Sequence, residues 1–203
     1  MSSGATDGRH LPSRARNARV EHSRDCAMIA PMTLTLPEIK WSDGRLVTLR
    51  PERAGDEPLL FQLYASTREE ELARTDWDEG TRARFLQSQF QAQGTGYRNL
   101  FPQADFSIVS LGSVASGRIV LNAAAAEIRL VDLVLAPAAR QCGLGTALLS
   151  AVLSEAARQD KSVRLHVLRH SPAVRLYQRL GLRKIAELGL RDEMEWRPSV
   201  MKR

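Results

Sequence analysis

From Leu34 onward, apolar and polar positions alternate in runs with clear periods. Leu46-Val47-Thr48-Leu49, set between Arg45 and Arg50, predicts a strand at an exposed edge, ended by Pro51. Asp56-Glu57-Pro58 carries helix-start chemistry, and Leu59, Leu60, Leu63 and Tyr64 follow at helical spacing. A second helix is expected to begin near Asp78 to Thr81, with Phe85, Leu86 and Phe90 on one side and Gly94-Thr95-Gly96 as its break. Residues 106–111 and 117–121 read as strands joined by a turn at Gly112-Ser113, and residues 122–126 as a second turn leading into a strand from Glu127 to Leu135. Two short links in succession predict an antiparallel meander.

Beyond Pro137 the period lengthens. Leu144, Leu148, Ala151, Val152 and Glu155 mark one face of a helix from Leu144 to Arg158, the first four packing on the sheet. Residues 163–168 form the next strand, and a strand–helix–strand link of this length predicts a right-handed parallel crossover. Ser171 as N-cap, Pro172 at the first helical position and Gly181 past the last turn outline another helix. Residues 185–188 and 194–196 close the chain as strands. No internal repeat interrupts the pattern.

Residues 1–31 differ: Ser, Gly, Arg and Asp dominate, and disorder is the expectation there, with a folded domain over 32–203. Met28 or Met32 is an alternative start, and an amphipathic targeting segment is the weaker alternative for this stretch. The 203 residues suffice for one domain plus a tail, and 43% hydrophobic with 26% charged residues is ordinary for a soluble protein. No run approaches the roughly 20 apolar residues of a membrane span, so no membrane partner is expected. The net charge of +6 suits an anionic ligand, but aromatics at 5% argue against specific nucleic-acid recognition. Cys26 and Cys142 lack metal-ligand spacing, which points to a reducing cytoplasm and no metal site.

The most informative segment is Arg140-Gln141-Cys142-Gly143-Leu144-Gly145. A glycine turn between a strand and a helix gathers unpaired N–H groups at the positive end of the helix dipole, where phosphate oxygens are well received. No lysine follows Gly145, so the segment is not a P-loop. A dinucleotide fold needs a third glycine or alanine where this chain has Leu148, and its loop follows a first strand rather than a meander.

What remains, Arg/Gln-x-x-Gly-x-Gly/Ala after a meander strand, resembles the pyrophosphate loop of the GNAT N-acetyltransferase superfamily. The stretch EIRLVDLVLAPAARQCGLG from Glu127 to Gly145 is similar to that family's strand-and-loop signature, and SPAVRLYQRLGL to its N-P-A-x-x-L-Y-x-x-x-G-F helix. The resemblance covers about residues 44 to 198. It implies an α/β (α+β) fold: a mixed, mostly antiparallel central sheet of about six to seven strands flanked by helices, with a parallel pair around the crossover that binds CoA.

The resemblance also implies roles. Acetyl-CoA is the co-substrate, with no metal, and acetyl passes by direct attack to a primary amine on a small molecule or peptide. The backbone of Gln141, Cys142, Gly143, Leu144, Gly145 and Thr146 binds the pyrophosphate, with Arg140 or Gln141 adding a side chain. Leu133, Val134 and Leu135 hydrogen-bond the pantetheine and polarise the acetyl carbonyl through backbone N–H. Tyr177 stands where the family has a general acid for the departing thiolate; a tyrosine that only packs and positions the cofactor is its plainer role. Ser171 replaces the usual asparagine of that helix start. Glu127 is the candidate base, with Asp132, His166 and His170 as others, each carboxylate also readable as a surface or ion-paired group. Trp77 and Tyr97, with Glu70, Glu71, Asp76 and Asp78, fall where acceptors bind in the family, although such charges also describe solvated helix ends. A homodimer is an assembly common among relatives. The rival reading is an acyl-CoA-binding sensor without turnover.

Overall fold

The computed structural model describes Leu34 and residues 36–41 and 43–199. The expected N-terminal extension, residues 1–31, and Cys26 lie outside the described residues. The strands are β1 (Ile39–Lys40), β2 (Leu46–Pro51), β3 (Asp105–Leu111), β4 (Val114–Ala123), β5 (Glu127–Leu135), β6 (Ser162–Leu168), β7 (Arg183–Leu188) and β8 (Arg191–Trp196). The helices are α1 (Glu57–Leu72), α2 (Glu79–Leu100), α3 (Leu144–Arg158) and α4 (Ala173–Arg179).

All eight strands join one sheet in the order β1-β2-β3-β4-β5-β6-β8-β7. Neighbours are antiparallel except β5 and β6, which run parallel on either side of the α3 crossover. The expected six to seven strands become eight because β1, with two residues, is too short to write an alternating pattern. The second turn is also shorter than its sequence reads, since β4 runs on to Ala123.

Helix α3 buries Leu144, Leu148, Val152 and Ala156 completely, in one core cluster with Ile128, Leu130, Val163 and Leu165 of β5 and β6. Leu148→Ala removes a side chain with no exposed surface, and a loss of about 3 kcal/mol is expected, read from the denaturant midpoint. Helix α1 buries Leu60, Leu63, Tyr64 and Leu72. It grips α2 through an edge-on Phe61–Phe90 pair at 5.6 Å.

The glycines do not break α2, which continues through Gly94 and Gly96 to Leu100. Each mid-helix glycine costs about 1 kcal/mol relative to alanine, but anchors beyond them hold the last turn. Tyr97 lines a cavity over the sheet, and Arg98 lies 4.4 Å over the Phe106 ring and 3.5 Å from Glu52. Helix α4 starts at Ala173, one residue later than the Ser-Pro signal suggests, with the Ser171 hydroxyl accepting from the Ala173 amide at 3.2 Å. No described helix is long and apolar enough to cross a membrane.

Candidate active site

Three local features of β4, β5 and β6 build the site. The parallel ladder pairs Glu127–Leu130 with Ser162–Leu165 and then stops, so the two strands part beyond Leu130. On the other side of β5 the register against β4 shifts: Leu121 faces Leu130, but Val120 faces Asp132, leaving Val131 as a bulge. Gly117 of β4 lies so close to β5 that a Cβ there would sit 2.6 Å from the Val134 carbonyl oxygen.

The parting strands open a cavity of about 400 Å³. Asp132 and Leu133 of β5, His166 of β6, Tyr97 of α2, and Ser171 and Tyr177 beside and on α4 all line it. Leu100 and Phe101 at the end of α2 and Leu168 of β6 supply apolar wall. Burial pushes the Tyr177 phenol up to about 12, with the Asp132 carboxylate adding to the effect. Tyr97 is likewise raised to about 12 by burial and then by Asp132, against the opposing charges of Arg191 and Arg118. Asp132 itself is raised by burial; Arg118 and the Leu133 amide oppose this, and Glu52 adds to it.

At the N-terminus of α3, Gly143 has φ +96 and Gln141 φ 58, so consecutive amides turn toward one point. The amides of Gln141, Cys142 and Gly143 donate to no protein acceptor among the described residues. Those of Leu144, Gly145 and Thr146 are the unpaired donors of the first helical turn. Gly143 is demanded by its backbone. A Cβ on Gly145 would make only ordinary 3.6 Å contacts with Leu135 and Leu176, which suits a position where glycine or alanine serves. The Arg140 side chain ties the loop down, its guanidinium donating to the Leu135 carbonyl at 2.9 Å and to the Ser66 hydroxyl at 2.5 Å. The Cys142 thiol donates to the Ala139 carbonyl at 3.2 Å.

Not every candidate from the sequence arrives at this cavity. Tyr177, Tyr97, Ser171, Leu133, Asp132 and His166 do. Glu127 does not: it borders a separate hollow with Asp160, Ser162 and Arg197 and is ion-paired to Arg129 at 2.9 Å and Arg164 at 3.3 Å. Both of its carboxylate oxygens are thus taken up by guanidinium groups. Trp77 also stands apart, half-exposed and packed edge-on against Phe85 at 5.1 Å. Glu71 pairs with Arg68 on α1, Glu70 pairs with Arg74 just beyond its end, and Asp78 caps α2 by accepting from the Thr81 amide.

Two polar residues escaped sequence reasoning. Arg118 of β4 is 5% exposed, lies 3.7 Å from Asp132 and 3.8 Å from Glu52, and stands 5.8 Å from the centre of the Tyr97 ring. Its signal was present, an arginine inside the apolar run Gly117-Arg118-Ile119-Val120-Leu121. Glu52, just past the end of β2, carries no signal of its own.

Fold and site together define a class: a mixed sheet whose two parallel central strands part at a bulge, ahead of a helix led by a glycine turn, is the GNAT acetyltransferase architecture. Residues 104–183 match the family model described as the acetyltransferase (GNAT) domain. Among solved structures, the chain is similar to PaiA N-acetyltransferase from Thermoplasma acidophilum in complex with coenzyme A, with TM-score 0.56, 20% identity, and 74% of this chain and 98% of the other covered. RimJ from Mycobacterium smegmatis, in complex with CoA-disulfide, gives TM-score 0.56 at 16% identity over 83% and 89%. An acetyltransferase from Thermus thermophilus gives 0.53 at 18% identity over 74% and 96%. At these identities the likeness is one of fold. No curated protein sequence matches the chain.

Proposed function

We propose that the protein is an N-acetyltransferase that moves acetyl from acetyl-CoA directly to a primary amine on a small molecule or peptide. One observation carries the reading: the unpaired amides of residues 141–146 gather at the head of α3, while the strand leading into that loop also walls the cavity that holds Tyr177. An anionic pyrophosphate fits the first place, and an extended arm along parted strands fits the second. The neighbours crystallised with CoA support the same ligand for this chain.

In this reading acetyl-CoA supplies the activated acyl group, and the protein orients it. Backbone N–H groups of residues 133–135 receive the carbonyl oxygen as charge grows on it. The amine nitrogen bonds to the acyl carbon, the carbon–sulfur bond breaks, and the Tyr177 hydroxyl donates toward the departing sulfur. A phenolate is a stronger base than a thiolate, so the tyrosine regains its proton from the acceptor's ammonium as the amide forms. Ser171 lines the cavity with its hydroxyl already accepting from Ala173, so its share in holding the pantetheine is smaller than an asparagine's.

Calorimetry with acetyl-CoA tests the first step, and the absence of binding at millimolar cofactor would end the proposal. Thiol release from acetyl-CoA with a panel of amines separates an enzyme from a binding-only sensor. Release that no amine accelerates would favour the sensor.

A further inference from the structure

We infer that Asp132 is the group that takes the proton from the acceptor amine, and that Arg118, backed by Glu52, is the residue that positions it. The inference rests on the acetyl-transfer reading. Asp132 is the carboxylate lining the cavity that Tyr177 also lines, and it reaches that face because the Val131 bulge turns it there. A protonated amine entering along Tyr97 and Leu100 meets this carboxylate in the cavity that Tyr177 shares.

Behind Asp132 lies an arrangement whose role the fold alone does not explain. The Arg118 guanidinium stands 3.7 Å from Asp132 and 3.8 Å from Glu52, and the side chains of Arg118 and Glu52 are 6% and 7% exposed. Yet Nε of Arg118 and Oε2 of Glu52 have no hydrogen-bond partner. A buried arginine whose bonds are incomplete is an expensive stabiliser. It is well suited to fixing the place and charge of a neighbouring carboxylate. Arg118 and Asp132 also line a small hollow together with Tyr64 and Thr67 of α1.

The proton count closes. The acceptor enters as an ammonium and gives one proton to Asp132, which returns it to solvent. The neutral nitrogen then attacks, and its second proton replaces the one that Tyr177 passed to sulfur. The products are the amide, the free thiol and one released proton.

Several titratable groups face Asp132. Arg118 approaches from β4 with Glu52 behind it, Tyr64 from α1, Tyr97 from α2 and Tyr177 from α4. Arg129 of β5, His166 of β6 and Arg191 of β8 line the same cavity. Among them Arg118 and Glu52 act on the carboxylate with opposite signs: the cation favours the anionic form and the second carboxylate disfavours it. Removing Arg118 must therefore move the acidic limb of activity to higher pH, and removing the Glu52 charge must move it lower.

The test measures acceptor kcat/KM against pH for the full chain, by thiol release with the best amine of the panel, or with water where no amine turns over. Asp132→Asn is expected to lower turnover about a hundredfold or more, with acetyl-CoA affinity by calorimetry unchanged. Arg118→Met is expected to raise the acidic limb by about one pH unit or more, Glu52→Gln to lower it, and Arg118→Lys to restore most of the wild-type profile. If Arg118→Met does not fold, by circular dichroism, the Glu52→Gln and Arg118→Lys profiles decide. Full activity in Asp132→Asn, limbs that shift together, or limbs that do not move would overturn the inference while wild-type turnover leaves the acetyl-transfer reading standing. A wild-type chain that does not bind acetyl-CoA would bring down both.

Discussion

Tyr177→Phe is expected to lower kcat by about a hundredfold or more while leaving acetyl-CoA affinity nearly intact. The substitution keeps the ring, which is 8% exposed and belongs to the core cluster, and removes only the hydroxyl. With its phenol raised to about 12, Tyr177 holds its proton at any working pH, so a donor is always in place when charge develops on sulfur. Without the hydroxyl, the departing thiolate meets an apolar wall and must be expelled unprotonated. The measurement is single-turnover thiol release beside a calorimetric titration with acetyl-CoA. A large affinity loss at unchanged kcat would instead make Tyr177 a residue that only positions the cofactor.

Gly117→Ala is the second large effect, and it acts on the sheet. The added Cβ would lie 2.6 Å from the Val134 carbonyl oxygen, 2.7 Å from a Leu135 methyl and 3.2 Å from the Leu135 Cα. Two of these atoms are backbone in a strand paired to β4, so no rotamer change relieves the clash. Destabilisation of about 2–3 kcal/mol is expected, and in a chain of this size that lowers Tm by roughly 5–10 °C. The displaced segment is also the one proposed to receive the pantetheine, so weaker acetyl-CoA binding should accompany the loss. An unchanged melting curve would contradict the close approach.

The sequence reading and the structure agree where one local rule decides the outcome. The bounds of β5 and α3 match because apolar periodicity, the flanking turn and the glycine cap all point the same way. They part where distant contacts decide. Gly94 and Gly96 predict a break from local propensity, yet Tyr97 and Arg98 are anchored to the sheet across the chain. Glu127 fits the role of base by position along the chain alone. Nothing near it in sequence announces that Arg164, on the neighbouring strand, neutralises it together with Arg129. Asp132 could be named from sequence but not oriented, since alternation leaves its face open until the bulge is seen. The cavity likewise depends on where two strands stop pairing, which no local period records.

The bulge at Val131 has a consequence for the inheritance of this site. Upstream of it, even-numbered residues, Ile128 and Leu130, belong to the core cluster beneath α3; downstream, the odd-numbered Leu133 and Leu135 pack against the same cluster. One surplus residue thus inverts the parity of the strand, a frameshift in the spatial sense. Deleting Val131 would remove the surplus residue and restore plain alternation, with Leu130, Leu133 and Leu135 still toward the core and Asp132 still on the opposite face, so only the local bend of the strand would be lost. One residue inserted after Asp132, by contrast, would turn Leu133 and Leu135 off the face that packs on the core cluster and bring Val134 onto it, so a change of length there is far more hazardous than a substitution at the same positions.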